Sequence, residues 1–153
     1  MASSLIAGAV SLLLIIVAGY VIATGILMVA ETTVYTQMDV SYNQELIKQT
    51  DISMDYSWDS GTLSLNVFNN GSTSFTSKDF LNMDLFTYDS VNKTRRYSKA
   101  NCDPFNVTTA SDIINKGMWD PSEVLLVNIS LTQKPTWAKF VTPNGVTATL
   151  TVI

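Results

Sequence analysis

The sequence contains no histidine, a single cysteine in 153 residues, and only 14% charged residues. Each shortage excludes a class of chemistry. Without histidine there is no Ser-His or Cys-His nucleophile pair, no imidazole metal ligand and no imidazole proton shuttle. Cys102 has no intramolecular partner for a disulfide, so stability must come from an ordinary core. Its default reading is a buried or idle thiol, with an intermolecular bridge as the other reading. Basic residues are few and late: none of the nine Lys and Arg precedes Lys48, and the net charge is −4. That removes both the basic n-region of a secretory signal and the cationic footprint of a nucleic-acid binder. No P-loop, dinucleotide glycine motif or EF-hand loop occurs. Asp51, Asp55 and Asp59 recur every four residues, which on a strand puts them on one face; a solvated surface explains them better than a calcium site. The expectation is a non-enzyme with no catalytic residue, no cofactor and no metal.

What the sequence has is a long apolar run. Leu5 to Ala30 carries no charge and includes fourteen Leu, Ile or Val residues. As a helix it would span about 39 Å at ~1.5 Å per residue, against a hydrocarbon core of ~30 Å. The predicted organisation is a short segment over 1–4, a transmembrane helix over 5–30, a stalk or linker over 31–50 and a β-domain over 51–153. Retention of Met1 points to an anchor that is kept rather than cleaved. Ser4, Ser11, Ala18 and Gly25 repeat every seven residues along one stripe, as a close helix–helix contact requires; the bland alternative is that membrane helices are simply rich in small residues. The charges nearest the run are Glu31, Asp39 and Glu45, which favours placing the large domain outside the cell. Four Asn-x-Ser/Thr sequons, at Asn70, Asn92, Asn106 and Asn128, point the same way as potential N-glycosylation sites.

Beyond Ala30, Val34, Met38, Tyr42 and Leu46 fall four apart, predicting an amphipathic helical stalk that ends near Thr50, with a short linker as its competitor. From Asp51 the period becomes two. Strands are predicted over "DISMDYSWD", over "GTLSLNVFNNG" with Leu63, Leu65 and Val67 inward and an Asn-Gly turn at its end, and over "FLNMDLFTY" with Leu81, Met83 and Leu85 inward. "SEVLLVNISL" adds another, and "TWAKFVTPNGVTATLTVI" reads as a hairpin about "TPNG" with Val146, Ala148, Leu150 and Val152 on one face. The segment from Ser90 to Gly117 is expected to hold one strand around Arg96 and a helical turn from Ser111 to Asn115. The fold class is therefore α+β: one transmembrane helix followed by an all-β antiparallel, immunoglobulin-like sandwich. Candidate binding-face aromatics are Trp58, Phe68, Trp119 and Trp137, although large aromatics in a sandwich more often belong to the core.

An uncharged helix after "MASS", leading to a β-domain that closes with "IINKGMWDPSEVLLVNISL" and "FVTPNGVTATLTVI", resembles the archaeal FlaF family, also called ArlF. Where that family tends to carry a Pro-Gly-Glu turn, this chain has Asp120, Pro121, Ser122 and Glu123. The sister family FlaG shares the layout. The resemblance implies an archaellum stator protein in the cytoplasmic membrane, single-pass, with its sandwich beneath the surface layer. It implies partners in the surface-layer protein, a FlaG-like protein and archaellum motor components; a homo-dimer stays open. Two other readings share the architecture: an archaellin or type IV pilin-like filament subunit, and a membrane-tethered external binding module.

Overall fold

The computed structural model describes residues 2–91, 93–99, 105–110 and 112–153, without the side chains of Ala2 and Ser4. Cys102 and the Asn92 sequon lie outside the described residues, as does Ser111. The chain divides into two compact units, residues 1–42 and residues 43–153.

One helix, α1, runs Ala2–Gln49 and is long and apolar enough to cross a membrane. Over residues 3–42 every described side chain is exposed. Hydroxyl side chains along this helix bond inward to the helix itself. The Ser11 hydroxyl donates to the Ala7 carbonyl at 2.9 Å, Thr24 to Tyr20 at 3.0 Å, and Thr32, Thr33 and Thr36 each to the carbonyl four residues earlier. A hydroxyl satisfied in this way needs no water, so it is tolerated in hydrocarbon. Ser11, Ala18 and Gly25 lie on the exposed helix surface, while the side chain of Ser4 is outside the described set. Of the predicted stalk stripe, Val34, Met38 and Tyr42 are exposed and Leu46 is half-buried.

In the second unit, period-two sequence becomes strands β1 (Ile52–Asp59), β2 (Thr62–Asn69), β3 (Phe75–Thr76), β4 (Asp84–Asp89), β5 (Lys93–Ser98), β6 (Phe105–Thr109), β7 (Met118–Trp119), β8 (Val124–Ser130), β9 (Trp137–Val141) and β10 (Thr147–Thr151). Their order is β1-β2-β8-β6 in one antiparallel sheet and β10-β9-β4-β5 in the other, with β3 and β7 pairing separately. With β3 and β7 set aside, the two sheets read A-B-E-D and G-F-C-C′, the strand order of an immunoglobulin-type sandwich. The Ser60–Gly61 turn, with both residues at positive φ, closes the β1–β2 hairpin as the right-handed twist of the strands demands.

The core follows the alternation. Leu63, Leu65 and Val67 from β2 and Leu125, Val127 and Ile129 from β8 face Leu85 and Phe140 across the sandwich. Leu81 departs from its predicted inward position. It sits 47% exposed in a 3₁₀ turn over Asp79–Asn82, so the inward set begins at Met83 and passes through Leu85 to Thr87 and Asp89. Trp119 was a candidate for the binding face, but the structure buries it completely. It stacks on Phe75 with centroids 5.4 Å apart, meets Phe140 edge-on, and donates its indole N–H to the Glu123 carbonyl. The short β3–β7 pair carries Phe75 and Trp119 into the core.

The helical turn expected from Ser111 to Asn115 does not form over Asp112–Asn115. Acidic side chains accept the hydrogen bonds a helix would have made. Glu123 accepts from the N–H groups of Ile113, Ile114 and Asp120, Asp120 accepts from Asn115, and Asp112 accepts from Gly117. The Asp120 N–H, then those of Ile113 and Ile114, hold the Glu123 carboxyl below its ordinary pKa, against burial and the neighbouring Asp120 charge, which act to raise it. The polar segment also holds a second strand, β6, beyond the one expected around Arg96; its Phe105 and Val107 are buried in the core.

The end of α1 is built into this unit. Ser72 donates to the Gln49 carbonyl, and Asn70 and Gly71 donate to that of Asp51. A Cβ on Gly71 would lie 2.3 Å from the Gln49 carbonyl oxygen and 2.5 Å from the Asp51 nitrogen. The predicted Asn-Gly element therefore works by close backbone approach rather than as a hairpin turn. On the other side, Asn144 donates to Thr50 Oγ1 and to the Leu46 carbonyl.

Candidate functional site

Alternation that buries Leu85, Ala138 and Phe140 turns their neighbours to the opposite, outer face of the β10-β9-β4-β5 sheet. Register sets these outward residues in three rows. The first is Thr151, Trp137, Tyr88 and Thr94; the second is Thr149, Lys139, Phe86 and Arg96; the third is Thr147, Val141, Asp84 and Ser98. Trp137 and Tyr88 stack with rings 6.1 Å apart and within 5° of parallel. Phe86 lies directly between Lys139 and Arg96 in register. The centre of the face is thus three half-buried aromatic rings, edged by two cations and a column of threonines.

Electrostatics sharpen this description. Although the chain is net acidic, Lys93, Arg95, Arg96 and Lys99 bring four of its nine basic residues into the edge strand β5 and the residue after it. Arg96 is tied to Asp84 at 2.9 Å, which fixes the guanidinium over the face. The other carboxylate oxygen, Asp84 Oδ1, is buried and accepts no hydrogen bond from the described residues. Charge on an edge strand also keeps the sheet from pairing with stray strands.

The remaining predicted residues separate. Trp58 turns inward at the sandwich rim and packs against the core. Phe68 is half-buried on the outer face of the other sheet, in register between Ser53 and Val124. Only Trp137 of the four aromatics belongs to the three-row face. Its companions Tyr88 and Phe86 are not among the sequence candidates, although the alternation that points Met83 and Leu85 of "FLNMDLFTY" inward names both as outward. Among the sequons, Asn70 is exposed and donates to Ser53 Oγ, while Asn106 and Asn128 are cross-strand partners on the outer face of the β1-β2-β8-β6 sheet. Asp51, Asp55 and Asp59 are exposed, and no group of acids that could hold a metal occurs among the described residues.

No family model and no curated protein matches the sequence. Among solved structures the chain is similar to the archaellum periplasmic stator protein FlaG from Sulfolobus acidocaldarius, with 19% identity and a TM-score of 0.51. That match covers 67% of this chain and 99% of the other. A second similarity, to the archaellum periplasmic stator protein complex FlaF and FlaG from the same organism, has 19% identity and a TM-score of 0.48, covering 66% of this chain and 87% of that one. The FlaG likeness is one of fold: an antiparallel β-sandwich.

Proposed function

We propose that this chain is a non-enzymatic stator component of the archaellum, anchored in the cytoplasmic membrane by the first thirty residues. In this reading the sandwich lies outside the membrane beneath the surface layer and holds the motor by binding the surface-layer protein. Torque on a rotating filament must be resisted by something attached to the envelope, and that task needs a firm binding face rather than an active site. The observation that carries the reading is the pairing of a 48-residue helix, uncharged and apolar from Leu5 to Ala30, with an eight-stranded sandwich whose fold is shared with FlaG. The sequence resemblance to FlaF supports it, and the aromatic and cationic face is the surface we assign to the contact.

The FlaG likeness also favours a second reading, in which the chain is the FlaG-type member and meets a FlaF-type partner and motor components instead of the surface layer. Affinity capture with the tagged full chain in detergent, against solubilised cell envelope, separates the two. Recovery of the surface-layer protein, lost with Lys139→Glu, supports the first. Recovery of only stator or filament proteins overturns it and moves the second ahead.

A further inference from the structure

The sequence contains two Asn-Gly dipeptides, at Asn70 and Gly71 and at Asn144 and Gly145, and the fold brings both to one place. Each lies in a loop that holds the end of α1. From one side the N–H groups of Asn70 and Gly71 donate to the Asp51 carbonyl. From the other, the Asn144 amide donates to Thr50 Oγ1 at 2.7 Å and to the Leu46 carbonyl at 3.3 Å. Asn-Gly is the dipeptide most prone to lose its side-chain amide, because the backbone nitrogen of a residue without Cβ reaches the asparagine Cγ unhindered.

Both loops oppose that reaction. The Gly71 N–H is committed to the Asp51 carbonyl at 3.0 Å and to Asn69 Oδ1 at 3.2 Å, and the Gly145 N–H to the Thr142 carbonyl at 2.9 Å. The attacking nitrogen must first lose its proton to water, and a proton shared with a carbonyl is shielded from that loss. The Asn144 amide is also held at both ends, since its Oδ1 accepts from Thr142 Oγ1 at 2.6 Å while its Nδ2 bonds Thr50 and Leu46. Its Cγ cannot turn toward Gly145 while these bonds stand.

We infer that Asn144 is a covalent modification site gated by this junction: its amide survives while the last turn of α1 is docked on the sandwich and is hydrolysed once that turn comes away. In the opened loop the Gly145 nitrogen loses its proton to water and bonds to Asn144 Cγ. The C–N bond of the side-chain amide breaks, ammonia leaves, and a cyclic imide remains. Water then opens the imide at either carbonyl to give aspartate or isoaspartate. A water molecule is consumed for each ammonia released, and nothing is oxidised or reduced. Neither product redocks as the asparagine did. Aspartate has no N–H for the Leu46 carbonyl and sets a carboxylate against that oxygen, while isoaspartate adds a methylene to the backbone of the loop. Hydrolysis therefore makes a reversible opening permanent. The site does not depend on the stator reading.

The test incubates the full chain in detergent and mildly alkaline buffer beside a synthetic peptide of residues 139–150, following Asn144 by peptide mass mapping with isoaspartate detection. The folded chain should react at least about tenfold more slowly than the peptide, as a site that reacts only from a locally opened state requires. Thr50→Val removes the hydroxyl that Asn144 donates to without altering the loop, and should raise the rate at least about threefold. Urea below the unfolding transition should raise it too, and opens the junction by a second route should the variant fail to fold. Asn144→Asp, which installs one product, should quicken amide exchange at Thr50 and leave β2 and β8 unchanged. A folded-chain rate equal to that of the peptide, a rate unmoved by both Thr50→Val and urea, or unchanged exchange at Thr50 in Asn144→Asp overturns the proposal.

Discussion

Asn144 Nδ2, in the loop between β9 and β10, donates to Thr50 Oγ1 at 2.7 Å across 94 residues of sequence. The same amide reaches the Leu46 carbonyl at 3.3 Å, and Thr50 Oγ1 also donates to that carbonyl at 2.7 Å. The last turn of a helix leaves carbonyls without intrahelical donors. The sandwich supplies donors from two loops, so the end of α1 is stitched to the β-domain by polar bonds. Replacing Asn144 by Ala should cost about 1 kcal/mol. Amide hydrogen exchange at Thr50 and Ser72 should quicken while exchange in β2 and β8 is unchanged; uniform quickening throughout the domain would assign Asn144 a global role instead.

Gly71→Ala acts on the same junction from the other side. Its Cβ would press on the backbone of Gln49 and Asp51, which no side-chain rotamer can relieve. The expected loss is about 2–3 kcal/mol, at the upper end for overpacking. Urea unfolding followed by tryptophan fluorescence measures it, and a loss below about 0.5 kcal/mol would mean that the loop simply moves away.

Stability should weaken in acid through Glu123. Its folded-state pKa lies below the ordinary 4.5, so the carboxylate stabilises the fold above that pH. The contribution disappears as pH falls through the folded-state value. Urea midpoints measured from about pH 7 to about pH 3 should drop below pH 4.5 in the natural sequence and flatten in Glu123→Gln. Equal slopes for the two proteins would remove Glu123 as the source.

Trp137→Ala should separate binding from folding. Loss of the stack on Tyr88 costs about 0.5–1.5 kcal/mol of stability, plus a share of half-buried area. If the face binds its partner through this ring, affinity should fall by at least about 2 kcal/mol, roughly thirtyfold. Lys139→Glu should weaken capture with almost no change in unfolding midpoint, and its loss should be greatest at low salt. Undiminished capture by both variants would move the contact to another surface.

The sequons on the β6–β8 pair make a further prediction. Asn106 and Asn128 are direct cross-strand partners, with Cβ atoms about 5 Å apart by ordinary sheet geometry. Two branched glycans do not fit side by side at that spacing. Intact-mass and glycopeptide analysis of protein from its own cells should find this sheet carrying a glycan at one of the two positions and not both. Routine double occupancy would contradict the register.

Local chemistry was enough to read several elements from the amino-acid sequence alone. An uncharged apolar run declares a helix long enough to cross a membrane, and Leu63, Leu65 and Val67 declare a strand with one buried face, because both signals need only near neighbours in the chain. The closing hairpin was readable for the same reason: "TPNG" supplies the turn, and Ala148 and Val152 face inward as the alternation requires. What required the tertiary structure were relationships between distant segments. A tryptophan has the same sequence signature in a core as on a face. Trp119 went to the core with Phe75 because the short β3–β7 pair carries both there, while Trp137 faces outward because Ala138 and Phe140 take the inward positions of β9. The segment around Ile113 looked helical until Glu123, ten residues on, took its N–H groups. The outward row of Trp137, Tyr88 and Thr94 exists only because β9, β4 and β5 are neighbours in space, an arrangement set by sandwich topology rather than by any local pattern.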